Sequence, residues 1–202
     1  MNVKISTINH YQPSYNKSFT KPSFKGACPV ETIKHYNLGM MPNGIVGKIR
    51  ALKSDGKEVY LNLEKQATSS NEIYSILDDF KNVIGRIEIQ LRKNVWYCKG
   101  DEPSHVFVKE LRNYSNPRTP YYRNNLEEYK QIGVRLLQVA QRRSDEAQLE
   151  GNIMLVAKCE SLPFYKKLGF VIAPSISRFI NPNKLTLPPE AKEPLSKLYG
   201  GL

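Results

Sequence analysis

The chain has 202 residues, 40% of them hydrophobic and 24% charged, with a formal net charge of +11 at pH 7. This length suits one domain with a substantial core. The sequence shows neither an apolar run of membrane-spanning length nor a signal or transit peptide, so we expect a cytoplasmic protein without membrane contact. The three cysteines and three histidines have no metal-ligand spacing, so we expect no metal site and no disulfide framework.

The first 43 residues are rich in Asn, Ser, Thr, Tyr, Pro and Lys and show little periodicity. Residues 1–50 carry seven Lys or Arg against one acidic residue, so +6 of the net charge lies there. A basic segment suits a polyanion, but this composition favours a solvated leader, and nucleic-acid binding is not expected. We therefore predict a disordered basic leader (1–43), one folded domain (44–180) and a C-terminal tail (181–202).

The first predicted element is a β-hairpin over 44–65. Apolar and polar residues alternate on both sides of an Asp-Gly turn at 55–56, which is typical of two antiparallel strands. The next segment, 69–80, is predicted as a short helix capped by Ser70 or Asn71.

Two more strands are predicted over 82–92 and 105–112, where the alternation returns. A Pro- and Tyr-rich loop follows at 113–125. The clearest helix covers 126–148, with Asn124 or Asn125 as its cap. One stripe of this helix contains Ile132, Leu136, Val139, Ala140 and Arg143.

A strand over 149–158 is apolar on both faces, as buried central strands are. A short helix over 159–168 is stopped by Gly169, and an apolar strand follows at 170–172. Residues 177–181 are a further possible strand before a Pro-interrupted tail. The element order predicts an α+β fold with a mixed, mostly antiparallel sheet flanked by helices.

This order resembles the GNAT superfamily of acyl-CoA-dependent N-acyltransferases over about 82–172. The pieces that carry the resemblance are VFVKELRN (106–113), YKQIGVRLL (129–137) and GNIMLVAKCESLPFYKKLGF (151–170). The resemblance implies a GNAT-like fold, with 44–180 as the acyltransferase domain. It also implies acetyl-CoA as co-substrate and an amine as acceptor. The acceptor is open among a small molecule, a peptide N-terminus and a lysine, and a homodimer is left open too.

The resemblance assigns acyl-CoA binding to the start of the long helix and to the strand before it. A helix start offers unpaired N–H groups to a pyrophosphate. The residues that match these family positions are Leu111, Arg112, Asn113, Lys130, Gln131, Ile132, Gly133, Val134, Arg135 and Ser161.

The sequence departs from the family pattern at Gln131, where the family has Gly, and at Glu128, where it has Gln or Arg. Glu127 and Glu128 bring negative charge to this loop, which Lys130, Arg135 and Arg123 would offset. A helix beginning at 126 with a capping box to Glu128 would block the anion site.

The resemblance also assigns the chemistry, in which an amine attacks the thioester directly. Tyr165 matches the family's general acid, and Glu110 matches the position of a carboxylate base. Glu88 and His105 are alternative bases. The other reading of the sequence is a GNAT-fold protein that has lost catalysis and serves as a binding or interaction module.

Overall fold

The computed structural model describes residues 37–93, 95–97, 100–173 and 183–202, with backbone only at 95–97, 100–102 and 199. Most of the predicted leader (1–36) and all of the predicted strand over 177–181 lie outside these residues. The described strands are β1 (Gly44–Lys53), β2 (Glu58–Ala67), β3 (Glu72–Leu77), β4 (Val83–Arg92), β5 (Val95–Tyr97), β6 (Gly100–Glu102), β7 (His105–Asn113), β8 (Tyr129–Lys130), β9 (Ile153–Val156), β10 (Val171–Ile172) and β11 (Lys184–Thr186). The helices are α1 (Ile132–Glu146), α2 (Leu162–Lys167) and α3 (Pro189–Lys197), with 3-10 turns at Cys159–Ser161 and Leu198–Gly200.

Nine strands form one sheet in the order β10-β11-β9-β7-β4-β3-β2-β1-β8. The β7–β9 pair is parallel and the other pairs of this sheet are antiparallel. Strands β5 and β6 form a separate hairpin. This mixed, mostly antiparallel sheet with its helices confirms the predicted α+β fold class.

The N-terminal half is a continuous antiparallel meander. The predicted hairpin is present, and Gly56 takes the positive φ of 87° that its turn requires. The helix predicted over 69–80 is wrong, because 72–77 is β3 and pairs on both sides, with β2 and β4. Asn71 belongs to the preceding turn, where its carbonyl accepts the Thr68 amide at 2.8 Å. Strand pairing overrides the local helical pattern here.

The long helix begins later than predicted. Tyr129 and Lys130 form β8, which pairs with Leu52 and Lys53 at the end of β1. Gln131 then takes the left-handed conformation, with φ 72°, and α1 starts at the next residue. The predicted caps at Asn124 and Asn125 are therefore wrong, and no capping box closes the helix start.

Helix α1 covers one face of the sheet with the predicted stripe. Every member of that stripe is buried: Ile132, Leu136, Val139, Ala140 and Arg143. Gly85 of β4 lets the helix approach closely, because a Cβ there would clash with Ile132. This packing fixes the start of α1 over the beginning of β4 and the end of β7.

Both ends of the described chain fold against α1. The segment 183–202, predicted as a tail, instead forms β11 and α3, and Gln138 of α1 donates from Nε2 to the carbonyls of Leu195 and Leu198, both at 2.9 Å. Residues 37–43, predicted as part of a disordered leader, are also packed. Leu38 is fully buried, and the Lys65 ammonium donates to its carbonyl at 2.8 Å.

Candidate functional site

The parallel strands β7 and β9 separate after a short pairing. Only Val106–Val108 of β7 pair with Ile153–Leu155 of β9. The β4–β7 register shifts between Ile89 and Glu88, which leaves Lys109 as the extra residue of a β-bulge. Strand β7 then continues to residue 113 alongside β4, while β9 ends at Val156. A gap therefore opens between the carboxyl ends of the two strands.

Backbone groups of β7 line this gap. The Val106 amide donates to Asn152 on the β9 side, whereas the Tyr114 amide donates to Ile84 on the β4 side, both at 2.9 Å. Backbone groups alternate sides along a strand, so the Tyr114 bond places the amides of residues 111 and 113 on the side away from β4. A ligand with amide groups can pair with this edge, where the register with β9 has ended.

The start of α1 is open to an anion. The first intrahelical bond runs from the Arg135 amide to the Gln131 carbonyl at 3.0 Å. The amides of Ile132, Gly133 and Val134 therefore have no acceptor within the helix, and no acidic residue lies in its first turn. Such a helix start attracts phosphate groups.

Glu127, one of the two acidic residues before α1, is paired with a cation on another strand. The Glu127 carboxylate lies 2.8 Å from the Lys53 ammonium and accepts the Tyr129 hydroxyl at 3.0 Å. The hydrogen bond from Lys53 lowers the pKa of Glu127 and keeps it ionised. The negative charge of Glu127 is thus paired with Lys53 at the end of β1. Lys130 is also held there, since its ammonium donates to the Ser54 carbonyl at 2.7 Å.

Arg135 is a correction to the predicted anion-binding set. Its guanidinium is buried and donates to the Gly201 carbonyl and to Oε1 of Gln138, the latter at 3.0 Å. Its amide closes the first turn of α1. Neither group is available to an anion at the helix start, so Arg135 joins α1 to the C-terminal segment instead.

Helix α2 lies against the start of α1. A Cβ at Gly133 would come 3.1 Å from Cζ of Phe164, so a small residue is needed where the two helices meet. Ser161 stands directly before α2, and its side chain makes no capping hydrogen bond. Gly133 therefore contacts α2 at Phe164, and Ser161 lies at the N-terminus of the same helix.

Tyr165 projects from α2 into an aromatic cluster. It is 7% exposed, and its ring centroid lies 5.1 Å from that of Phe164 and 5.6 Å from that of Phe170. Burial, with a smaller contribution from Tyr121, raises the pKa of Tyr165 to about 12. The hydroxyl is therefore neutral at physiological pH and able to donate a proton or a hydrogen bond.

Tyr121 is a site residue that the sequence analysis missed. The Lys158 ammonium, just beyond β9, donates to its hydroxyl at 3.2 Å. The Arg112 guanidinium, on β7, lies 5.0 Å from its ring centroid. The ring thus bridges the two separating strands. The only sequence signal was the Pro- and Tyr-rich composition of its loop.

The three predicted bases are not equivalent in the structure. Glu110 forms an ion pair with Arg112 on the part of β7 that borders the gap. Glu88 lies opposite it on β4, where its carboxylate accepts Lys109 at 2.7 Å. His105 is buried at the other end of β7, with Nδ1 2.7 Å from the Pro103 carbonyl oxygen. Of the three, Glu110 is the one whose ion-pair partner, Arg112, contacts the Tyr121 ring.

Two further findings concern the described part of the chain. Within it, no group of three or more His, Cys, Asp and Glu side chains could hold a metal ion. No helix among these residues is long and apolar enough to cross a membrane.

Solved structures with a partial likeness to this chain include the following two. A candidate acyl-CoA N-acyltransferase from Klebsiella pneumoniae subsp. pneumoniae MGH 78578 is 13% identical with a TM-score of 0.36, over 60% of this chain and 73% of that one. BjaI, a CoA-dependent acyl-homoserine lactone synthase solved with SAM and isopentyl-CoA, is 14% identical with a TM-score of 0.37, over 72% and 70%. No protein-family model and no curated protein matches the sequence.

Proposed function

We propose that this protein is an acetyl-CoA-dependent N-acetyltransferase that transfers an acetyl group to an amine. One arrangement supports the proposal: the first amides of α1 have no acceptor within the helix, the amides of residues 111 and 113 are on the side of β7 away from β4, and Tyr165 lies on α2, which packs against the start of α1. These three features match the three parts of an acyl-CoA, which are its pyrophosphate, its amide-containing pantetheine arm and its thioester. The cytoplasmic location and a homodimer stay predictions from the sequence.

In this proposal the amides of Ile132, Gly133 and Val134 bind the pyrophosphate. The pantetheine amides pair with the edge of β7 at residues 111 and 113, as an added strand would. Gly133 and Ser161 leave room for the cofactor to pass under α2.

The proposed reaction requires that the amine and the acyl-CoA thioester be held next to each other. The amine nitrogen attacks the thioester carbonyl carbon, the carbon–sulfur bond breaks, and the thiolate takes a proton from the Tyr165 hydroxyl. Glu110 accepts the proton that the amine loses, directly or through a water molecule. Arg112 orients the Glu110 carboxylate through their ion pair.

A second candidate is a catalytically inactive GNAT-fold binding module. The observation that favours it is β8, because Tyr129 and Lys130 pair with β1 and are not free to surround a phosphate. The left-handed Gln131 also takes the place of the family's first loop glycine.

The first experiment is a calorimetric titration of acetyl-CoA, with CoA as comparison, into the full chain at moderate salt. We expect saturable micromolar binding, followed by release of free thiol when amine acceptors are added. Gly133→Glu should abolish binding because it puts a carboxylate at the anion site, whereas Gly133→Ala should retain most of it. Binding without thiol release for any class of amine would favour the binding module, and no binding by folded protein would exclude the enzyme.

A further inference from the structure

Four charged side chains of β4 and β7 form a square on the face of the sheet opposite α1. The β4–β7 register places Arg86 directly opposite Arg112 and Glu88 directly opposite Glu110. The helix lies on the Gly85 side of β4, because a Cβ at Gly85 would clash with a side chain of α1. Side chains alternate between the two faces along a strand, so the four charged groups point away from the helix.

The charged square places like charges next to each other across the strands. Directly opposite residues of the same sign destabilise a sheet, whereas opposite signs would form two ion pairs between the strands. The square instead keeps its two guanidiniums in one row and its two carboxylates in the next row, about 7 Å away along the strands. A surface that holds its charges apart in this way is complementary to a ligand with a positive and a negative end.

Arg86 contributes positive charge that the square does not neutralise. Its Nη2 lies 3.8 Å from Oε2 of Glu88, and its buried Nε has no hydrogen-bond partner among the described residues. The Glu88 carboxylate accepts the Lys109 ammonium at 2.7 Å, and Glu110 pairs with Arg112. Three cations therefore share two carboxylates, which leaves the arginine row able to bind one more anion. The side chains of Arg86 and Arg112 are 36% and 37% exposed, so a ligand can reach them.

The charged square lies beside the part of β7 that borders the gap. Glu110, the base in the proposed function, belongs to the carboxylate row, and Arg112 follows two residues later on the same strand. The β7 amides that pair with pantetheine in that proposal point within the plane of the sheet, whereas these side chains stand roughly perpendicular to it. An acyl-CoA along the strand edge and an acceptor on this face can therefore be bound at the same time.

We propose that Arg86 and Arg112 bind a carboxylate of the acceptor, so that the amine substrate is a free amino acid. Its amino group then lies at the carboxylate row, where Glu110 accepts the proton that the amine loses. This inference rests on the proposed function, because it takes Glu110 as the base. It also selects among the acceptors, since a peptide N-terminus and a lysine side chain within a peptide have no carboxylate beside the amine.

The test compares free amino acids with their amides as acceptors for the full chain, by thiol release at saturating acetyl-CoA. Wild type should prefer the amino acids, because the amides keep the amine and lose the carboxylate. Arg86→Met should lower kcat/KM for amino acids about 10- to 150-fold, the effect of losing a hydrogen bond to a charged group. It should leave kcat/KM for the amides and the affinity for acetyl-CoA unchanged. Arg92→Met is the matched control, because Arg92 lies on the same face of β4 with its guanidinium 3.8 Å from the ring centroid of Phe107.

Equal or better use of the amides by wild type would overturn the inference, and so would an equal loss for both kinds of acceptor in Arg86→Met. The wild-type comparison needs no variant, so it decides the question even if Arg86→Met does not fold. The two failures are distinguishable. Without acetyl-CoA binding, or with binding but no thiol release for any amine, the proposed function itself fails, whereas turnover that ignores the carboxylate removes only the role of Arg86 and Arg112.

Discussion

The Tyr165 hydroxyl is neutral over the physiological pH range and can donate a hydrogen bond to a negatively charged group. Burial raises its pKa to about 12, so the neutral form dominates at every pH below that value. A loss of activity between about pH 8 and pH 10 would therefore come from another group, because Tyr165 does not ionise there. In the proposed reaction this hydroxyl donates its proton to the leaving thiolate.

We predict that Tyr165→Phe lowers turnover by about 10²- to 10⁴-fold, the usual contribution of a positioned acid. The dissociation constant of acetyl-CoA should change little, since the ring and its contacts with Phe164 and Phe170 are kept. Steady-state thiol release and calorimetry measure the two quantities separately. Tyr122→Phe serves as the control, and wild-type turnover in Tyr165→Phe would remove this residue as the acid.

Sequence and structure agree at residue level where the pattern is local. The run that contains Phe164, Tyr165 and Gly169 predicted a short helix and its stop, and both are present. Tyr121 could not be found in this way. Its partners Arg112 and Lys158 come from different strands, and only the parallel pairing of β7 and β9 brings those strands together.

At the scale of elements, strand pairing determined the secondary structure of segments whose hydrophobic periodicity was ambiguous. Strand β3 contains a short apolar run that fits a helix as well as a strand, and its two neighbours made it a strand. Strand β8 has only two residues, which is too short for any periodic signal. By contrast, the buried stripe of α1 was predicted in full because it spans several helical turns.

The packing of α3 on α1 was missed for a different reason. Prolines at the start of α3 and within it made the sequence read as an interrupted tail. The helix is held instead by tertiary contacts, in which buried side chains of α1 donate to carbonyls of the C-terminal segment. The Gln138 amide donates two such bonds and also accepts one from Arg135.

We predict that Gln138→Met destabilises the protein by about 1–3 kcal/mol, because the carbonyls of Leu195 and Leu198 lose their donor in a buried position. Thermal unfolding should then occur about 2–4 °C lower for each kcal/mol lost. Gln66→Met is the control, since Gln66 is exposed and its amide donates only to Glu64, at 3.3 Å. Equal melting temperatures for the two variants would show that these bonds do not hold α3.

At the scale of the whole molecule, the end of α1 opposite the candidate site is the main electrostatic anchor. Arg143 is 4% exposed and donates to both oxygens of Glu72 on β3, at 2.7 and 2.8 Å. It also donates to Glu146 at 2.8 Å. The Glu146 carboxylate in turn accepts the amides of Leu38 and Gly39. One buried network therefore joins the sheet, α1 and the N-terminal edge of the described fold.

This network makes stability depend on pH in a defined direction. Burial raises the pKa of Glu72, but hydrogen bonds from Arg143 and Tyr74 lower it by more, and the net pKa lies below its ordinary value of 4.5. Because the folded state binds this proton less tightly than the unfolded state, the contribution is complete above about pH 4.5. It is lost as the pH falls through the lowered folded pKa.

We predict that Glu72→Gln costs about 3 kcal/mol at pH 7, because it leaves the buried Arg143 guanidinium without its principal partner. The variant should also lose less stability than wild type when the pH falls below 4.5, since the group that titrates there is gone. Urea unfolding at pH 7 and at a series of lower pH values measures both effects. Glu58→Gln is the control, because its ion pair with Arg50 is exposed and contributes at most about 1 kcal/mol. Parallel acid profiles for wild type and Glu72→Gln would show that another carboxylate controls the acid side.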